Sequence, residues 1–204
     1  MATISVAMIC QNEQGIIGRA IENVINFIDE MVIVDGGSTD DTVKEIKSFN
    51  SPKIKLFEIP FQKDFALQKN NAIQRCSGEW ILVMDADELF EDDLLKNLQR
   101  LTTLGYDSYA FARKTRIDGV LNNVIDQDFQ IRFWKNGIGV KYVGRIHESS
   151  IGMKKLTKCN LYIEHNKTFE QQEIDNRLYW DMGQDLPSDV RKVNGKYVRI
   201  NKGG

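Results

Sequence analysis

Apolar and polar positions fall in alternating blocks along the first hundred residues. Ile4–Cys10 is apolar but for Ser5, the pattern of a short strand. Over 15–27, Ile16, Ile17, Ala20, Ile21, Val24 and Ile25 to Phe27 recur at helical spacing and predict an amphipathic helix. Glu30–Asp35 reads as a second buried strand that ends in a carboxylate. Gly36 to Asp41 then form a turn into a helix over Thr42–Ser48, which Ser38, Thr39 or Asp40 could cap. A third strand is predicted over 53–59 and a third helix over 65–76, broken at Ser77-Gly78. A fourth strand follows over 80–84 and a helix over 91–101. Four β–α alternations predict a mostly parallel sheet with helices on both faces.

The rhythm changes after about residue 104. Strands of a mixed sheet are predicted over 108–115 and 130–135, with a polar loop over 116–128 between them. Short strands follow over 140–145 and 160–164, then an amphipathic helix over 169–182. Residues 185–204 are polar and basic with weak pattern, and read as an extended tail or the start of a further segment. No linker divides the chain. It reads as a single domain over 1–184, with one half at 1–104 and a smaller mixed half at 105–184.

Composition narrows the class. The 204 residues suit one domain, and 42% hydrophobic with 27% charged content is ordinary for a globular protein. A net charge of −2 argues against a nucleic-acid footprint. No apolar run approaches the roughly 18–20 residues that span a bilayer. The first residues enter a strand pattern at once and lack a positive n-region, so a cytoplasmic location is expected, with peripheral contact at a membrane face left open. Cys10, Cys76 and Cys159 are odd in number and widely spaced, which suits reduced thiols better than a disulfide framework or zinc site.

Chemistry gathers where strands end. Trp80-Ile81-Leu82-Val83-Met84 runs straight into Asp85-Ala86-Asp87-Glu88. Carboxylates are rarely buried unless paired or metal-bound, so these belong at the open, C-terminal end of a strand, where α/β sheets take their ligands. Two Asp spaced one apart can reach one hard cation, which could hold a diphosphate. A solvated loop that begins the next helix is the plainer alternative. Glu13 follows the first strand in Cys10-Gln11-Asn12-Glu13, and Asp35 ends the second. Asp35 can accept hydrogen bonds from a base or ribose, or simply open a helix turn. Neither G-x-G-x-x-G nor Walker A is present. Each motif is weak alone, but in a doubly wound sheet all would converge on one crevice.

The segments Ile4 to Glu13, Val32-Ile33-Val34-Asp35-Gly36-Gly37-Ser38-Thr39-Asp40-Asp41-Thr42 and Gly78 to Glu88 resemble, in content, order and spacing, family-2 glycosyltransferases of the GT-A fold. The likeness is strong over 3–100, looser over 101–182, and looks closest to small bacterial lipopolysaccharide-core-type sugar transferases. It implies a Rossmann-like α/β sheet and transfer of a sugar from a nucleotide sugar, a UDP-sugar by expectation, to a glycan, lipid-linked or protein hydroxyl. It also implies roles. Cys10, Asn12 and Glu13 would border the nucleobase, although Cys10 stands where many relatives carry Thr. Asp35 would contact uracil. Lys69, at a position usually Arg, would face the nucleotide, keeping the charge but losing the bidentate fork. Asp85, with Ala86 beside it, would meet the ribose or a metal-bound water. Asp87 would ligate the Mn²⁺ or Mg²⁺ that bridges both phosphates.

An inverting transfer needs a general base for the acceptor hydroxyl. Glu148, in Arg145-Ile146-His147-Glu148, is the leading candidate and Asp128 the second, with a solvated loop as the ordinary role of Asp128. His147 and His165 are the only histidines, and either could complete a metal shell. Phe129, Phe133, Trp134, Tyr179 and Trp180 could stack on a sugar, though such residues are more often core. The basic run Lys154 to Lys158 reads as a solvated loop. Two rivals remain open. A nucleotidyltransferase would attack the α-phosphate, but the segment after the first strand is acidic and poor in Gly. A non-catalytic nucleotide-sugar-binding protein would keep the site without turnover.

Overall fold

The computed structural model of the chain describes residues 1–121, 128–193 and 195–199. In order, its elements are β1 (Ile4–Cys10), α1 (Ile17–Val24), β2 (Glu30–Asp35), α2 (Thr42–Ser48), β3 (Ile54–Glu58), α3 (Phe65–Ile73), β4 (Trp80–Asp85), β5 (Glu88–Phe90), α4 (Asp92–Leu101) and β6 (Ser108–Ile117). Then come β7 (Val120–Leu121), β8 (Asp128–Lys135), β9 (Lys141–Val143), β10 (Ser149–Ile151), β11 (Leu156–Lys167), α5 (Phe169–Asp181), β12 (Val190–Val193) and β13 (Lys196–Arg199).

The main sheet runs β3-β2-β1-β4-β8-β6-β11-β5, with β7 paired to β6. The first four strands are parallel, and Val6 sits between Met31 of β2 and Leu82 of β4. Side chains alternate between the two faces of a strand. Ile4, Val6, Met8, Ile33, Leu82 and Met84 pack on one face with Ile17, Ala20, Ile21 and Val24 of α1, Ile46 of α2, and Leu94, Leu95 and Leu98 of α4. Ala7, Val32, Val34, Ile81 and Val83 pack on the other with Ala66, Ala72 and Ile73 of α3. Both faces are thus covered, as the unbroken apolar strands predict.

β8 lies antiparallel between β4 and β6, β11 runs parallel to β6, and β5 closes the edge antiparallel to β11. The second half is therefore mixed, and the whole is a GT-A-like α/β fold. The sheet changes winding direction between β1 and β4, so the crevice outside their carboxyl ends is the switch point where such folds bind ligands.

Several predicted boundaries change. Glu88, which could have been the first acid of a helix, starts β5 and is wholly buried. The predicted strand over 160–164 is a twelve-residue strand with a register break between Cys159 and Tyr162, and it absorbs part of the basic run predicted as loop. The strand expected over 140–145 shrinks to β9 and pairs outside the main sheet with β10, which has no apolar run to announce it. Of the predicted loop over 116–128, residues 116–117 belong to β6 and Asp128 to β8, while 122–127 lie outside the described residues. Among the described residues of the tail, β12 and β13 form a hairpin whose Tyr197 ring lies 5.0 Å from that of Trp180 in α5. No helix among the described residues is long and apolar enough to cross a membrane.

Candidate active site

The loops after β1 and β2 are laced together by side chains. The Asn12 and Glu13 amides donate to Ser38 Oγ and Thr42 Oγ1 at 2.8 and 2.7 Å, and the Thr39 amide donates to Asn12 Oδ1 at 2.8 Å. Asn12 has φ +57°, a region its short polar side chain tolerates. Asp35 Oδ2 accepts from the Gly37 and Ser38 amides, both at 2.9 Å, and Oδ1 accepts from Ser38 Oγ. Its carboxylate thus closes the turn, the plainer of the two roles open to it. Cys10 is buried with Sγ 3.8 Å from Asp35 Oδ1, and burial first, then that carboxylate, push its thiol well above the ordinary range. It is a protonated packing group at the β1 end.

Beyond β4 the two acids of Asp85-Ala86-Asp87 part company. Ala86 is buried and serves as the spacer. Asp87 Oδ2 lies 3.1 Å from His165 Nε2 and 3.1 Å from Lys167 Nζ, both on β11. His165 Nδ1 lies 3.1 Å from Thr115 Oγ1, which orients the ring. Burial opposes the charge on Asp87, yet His165 and Lys167 outweigh it and hold the carboxyl at about 2. Lys167 also pairs with Asp175 of α5 at 2.5 Å, bringing that helix to the site. Glu13 belongs to the same cluster: burial, then the negative charges of Asp87 and Asp175, raise its carboxyl to about 8. Two predicted residues from separate segments, Asp87 and His165, are therefore brought into contact, and Glu13 senses the charge of Asp87.

Asp85 is held differently. Its Oδ1 is 2.8 Å from Lys69 Nζ and its Oδ2 is 2.6 Å from Arg132 Nη2. Burial opposes ionisation, but Arg132 and Lys69 reverse it and keep the carboxyl well below the usual range. Both oxygens predicted for a ribose or a metal-bound water are thus engaged by cations. Lys69, predicted to face the nucleotide, instead lies buried between Asp85 and Glu148, 2.7 Å from the latter, with Nζ 5.2 Å from the centre of the Tyr142 ring. Asn70 fixes this geometry. It donates to the Tyr142 carbonyl and accepts from the Tyr142 amide, each at 2.9 Å, so α3 carries the β9 segment and the loop to Glu148 against it.

The second base candidate, Asp128, pairs with Arg113 at 2.7 Å and accepts from Gln130. Arg113 lies 3.7 Å from Glu88, and Glu88 lies 2.6 Å from Arg132. Opposite charges therefore alternate from Asp128 through Arg113, Glu88, Arg132, Asp85 and Lys69 to Glu148, with the two base candidates at opposite ends. His147, one of the two predicted metal histidines, is 3.0 Å from Gln184 Oε1, and its ring is 5.1 Å from Tyr179. These contacts set it apart from Asp87, and of the two histidines it is His165 that meets the acid. Phe133 and Trp134 are core, with Trp80 stacked on Phe133 at 4.8 Å, while Tyr179 packs on His147 and Phe65.

Arg132, Lys167 and Asp175 were not predicted. Arg132 had a signal: a single cation between Ile131 and Phe133 in an apolar strand must meet a buried acid. Among the described residues no three His, Cys, Asp or Glu side chains are grouped closely enough to enclose a metal unaided. Asp87 and His165 still offer one carboxylate and one imidazole side by side. That donor set fits a cation that takes its remaining ligands from a diphosphate and water.

Residues 5–171 match the family model described as Glycosyl transferase family 2. The lipopolysaccharide core biosynthesis glycosyltransferase LpsC of Rhizobium meliloti is 35% identical over 100 residues, 48% of this chain and 36% of that protein. The crystal structure of S. aureus TarS 1-349 in complex with UDP has a TM-score of 0.61 at 15% identity, covering 91% of this chain and 67% of that one. Glucosyl-3-phosphoglycerate synthase from Mycobacterium tuberculosis, in complex with Mn²⁺, UDP and glucosyl-3-phosphoglycerate, has a TM-score of 0.56 at 15% identity, covering 97% of this chain and 87% of that one. Both structures share the fold. The chain spans between 21% and 39% of the length of the curated relatives it matches.

Proposed function

The chain belongs to glycosyl transferase family 2, and from that premise we propose that it is a metal-dependent, inverting glycosyltransferase that moves a sugar from a UDP-sugar to a hydroxyl of a glycan, lipid-linked or protein acceptor. The observation that carries this reading is the pairing of Asp87 with His165 beyond β4 at the β1–β4 switch point, with Glu148 tied to Asp85 through Lys69. UDP is the nucleotide in the TarS and glucosyl-3-phosphoglycerate synthase complexes, and the latter also holds Mn²⁺. LpsC suggests a lipopolysaccharide-like acceptor.

Asp87 and His165 would hold Mn²⁺ or Mg²⁺, which when bound neutralises charge on the departing diphosphate. Asn12, Glu13, Asp35 and Cys10, laced together at the ends of β1 and β2, would border the nucleobase. As the sugar–oxygen bond breaks, C1 becomes oxocarbenium-like. Glu148 then takes the proton of the acceptor hydroxyl that attacks the opposite face. Its 2.7 Å contact with Lys69 keeps it aimed until an acceptor arrives.

The test is a product assay with UDP-sugars and a mixed glycan acceptor. The wild-type chain should release UDP in the presence of Mn²⁺ or Mg²⁺ and stop when the cation is chelated. Glu148→Gln should bind UDP normally and lose transfer by roughly 10²-fold or more, the order a general base contributes. Pyrophosphate in place of UDP would turn the reading to a nucleotidyltransferase, and UDP binding without turnover to a non-catalytic binder.

A further inference from the structure

Arg132 was given no role toward donor or acceptor, yet it is the best-buried cation next to the site among the described residues, with a side chain only 3% exposed. One nitrogen, Nη2, reaches Asp85 and Glu88 at 2.6 Å each, while its buried Nε has no hydrogen-bond partner. A buried donor left without an acceptor is costly. What holds the residue in this pose is the pair of acids at Nη2, with the Tyr142 side chain as a further neighbour of the guanidinium. Arg132 stands on β8 at a bulge: Phe133 pairs with Tyr109 and Ile131 with Ala110, so it is the extra residue between them, a device that re-aims a side chain.

The consequence appears one step away. Asp85 divides its oxygens, Oδ2 to Arg132 and Oδ1 to Lys69, and Lys69 divides its ammonium between Asp85 and Glu148. Without Arg132, Asp85 would turn both oxygens to the nearest remaining cation, Lys69. The 2.7 Å contact from Lys69 to Glu148 would then weaken.

We propose that Arg132 is a positioning residue for acceptor activation, fixing the Glu148 carboxylate through Asp85 and Lys69. This rests on the reading of Glu148 as the base. It makes β8 part of the machinery that aims the base, although β8 contributes no group to the substrates.

The test uses two variants with the full chain. Arg132→Met alone strands two buried acids and risks misfolding. The charge-balanced pair R132M/E88Q removes one charge of each sign and keeps an oxygen at position 88 to accept from the Asp85 amide, a contact Glu88 makes at 3.1 Å. The first readout needs no turnover: the ¹⁵N ammonium resonance of Lys69. In E148Q and in R132M/E88Q the resonance should shift and exchange faster with water than in the wild type. A Lys69 signal as protected and unshifted in R132M/E88Q as in the wild type overturns the proposal. The second readout is a double-mutant cycle on transfer. R132M/E88Q should retain UDP affinity and lose kcat, and adding E148Q should cost little more than E148Q alone, since groups acting as a unit are non-additive. Multiplying losses, or a loss confined to UDP affinity, would also overturn it. A wild-type chain that releases no UDP would instead sink the transferase reading, while the Lys69 resonance would still decide the brace.

Discussion

The Lys69 ammonium lies 2.7 Å from the Glu148 carboxylate and 2.8 Å from Asp85, joining the third helix, the end of β4 and the loop before β10 in one contact. A buried cation between two anions is hard to remove. Burial alone would favour the neutral amine, but Asp85, Tyr142 and Glu148 outweigh it and raise the Lys69 pKa. Lys69→Met leaves both acids close together and partly desolvated. We expect a loss of roughly 3 kcal/mol in unfolding free energy, the order seen when one partner of a buried pair is deleted. Equilibrium urea unfolding at neutral pH measures it. A loss under about 1 kcal/mol, the range of exposed pairs, would mean that the contact is a surface one in solution.

Much of this site was legible because its groups end apolar strands. The run Trp80 to Met84 can only be a core strand, and its following acids can only emerge at the edge, so Asp87 was findable from local pattern. Glu13 was findable for the same reason. The partners of those acids were not. Arg132, Lys167 and Asp175 come from β8, β11 and α5, and which acid each meets depends on strand order, which local periodicity does not encode. β5 escaped because three residues cannot show a period, and Glu88 looked like the first acid of α4 until its burial against Arg132 was seen. The C-terminal hairpin escaped because its outward residues Val193 and Val198 are half exposed and its strands are basic.

Asp87 is the residue on which the cation reading depends. Asp87→Asn should lower the Mn²⁺-dependent affinity for UDP by roughly tenfold or more, about 1.4 kcal/mol at the least. His165→Ala should act in the same direction, because it removes the neighbouring donor at 3.1 Å. Calorimetry with UDP, with and without chelator, reads both. In the wild type the chelator should weaken binding, and in D87N it should have little left to remove. Equal chelator effects in the two proteins would take the cation away from Asp87.

The C-terminal hairpin should stabilise α5. The Tyr197 ring lies 5.0 Å from that of Trp180 at a tilt of 58°, its hydroxyl donates to Asp181 at 2.7 Å, and Lys192 pairs with the same carboxylate at 2.8 Å. Trp80 and Trp134 are buried in the main core, so a change in tryptophan emission on altering the hairpin reports on Trp180. Tyr197→Ala should shift emission to the red and cost roughly 1–3 kcal/mol, from lost aromatic burial and one hydrogen bond. Unchanged emission with unchanged stability would show the hairpin to be undocked.

Part of the acid sensitivity should lie at the end of the molecule away from the site, beside that of Asp85 and Asp87. Glu30 opens β2 and is nearly buried. It accepts from the Ser77 amide at 2.6 Å, from Ser77 Oγ at 2.9 Å, and from Ser5 Oγ and Lys55 Nζ. Burial favours its neutral form, but these donors win and lower the carboxyl from 4.5 to about 2. A group with a depressed folded pKa binds its proton more weakly in the folded state, so protonation favours unfolding. Its contribution is therefore fully present above about pH 4.5 and is lost as pH falls toward 2. Glu30→Gln should cost roughly 1–3 kcal/mol at pH 7, since the amide offers one acceptor oxygen where two were used. The gap between wild type and E30Q in urea midpoint should narrow between pH 5 and pH 2.5. A gap that stays constant across that range would place the acid transition in other carboxylates and leave Glu30 a hydrogen-bonding group only.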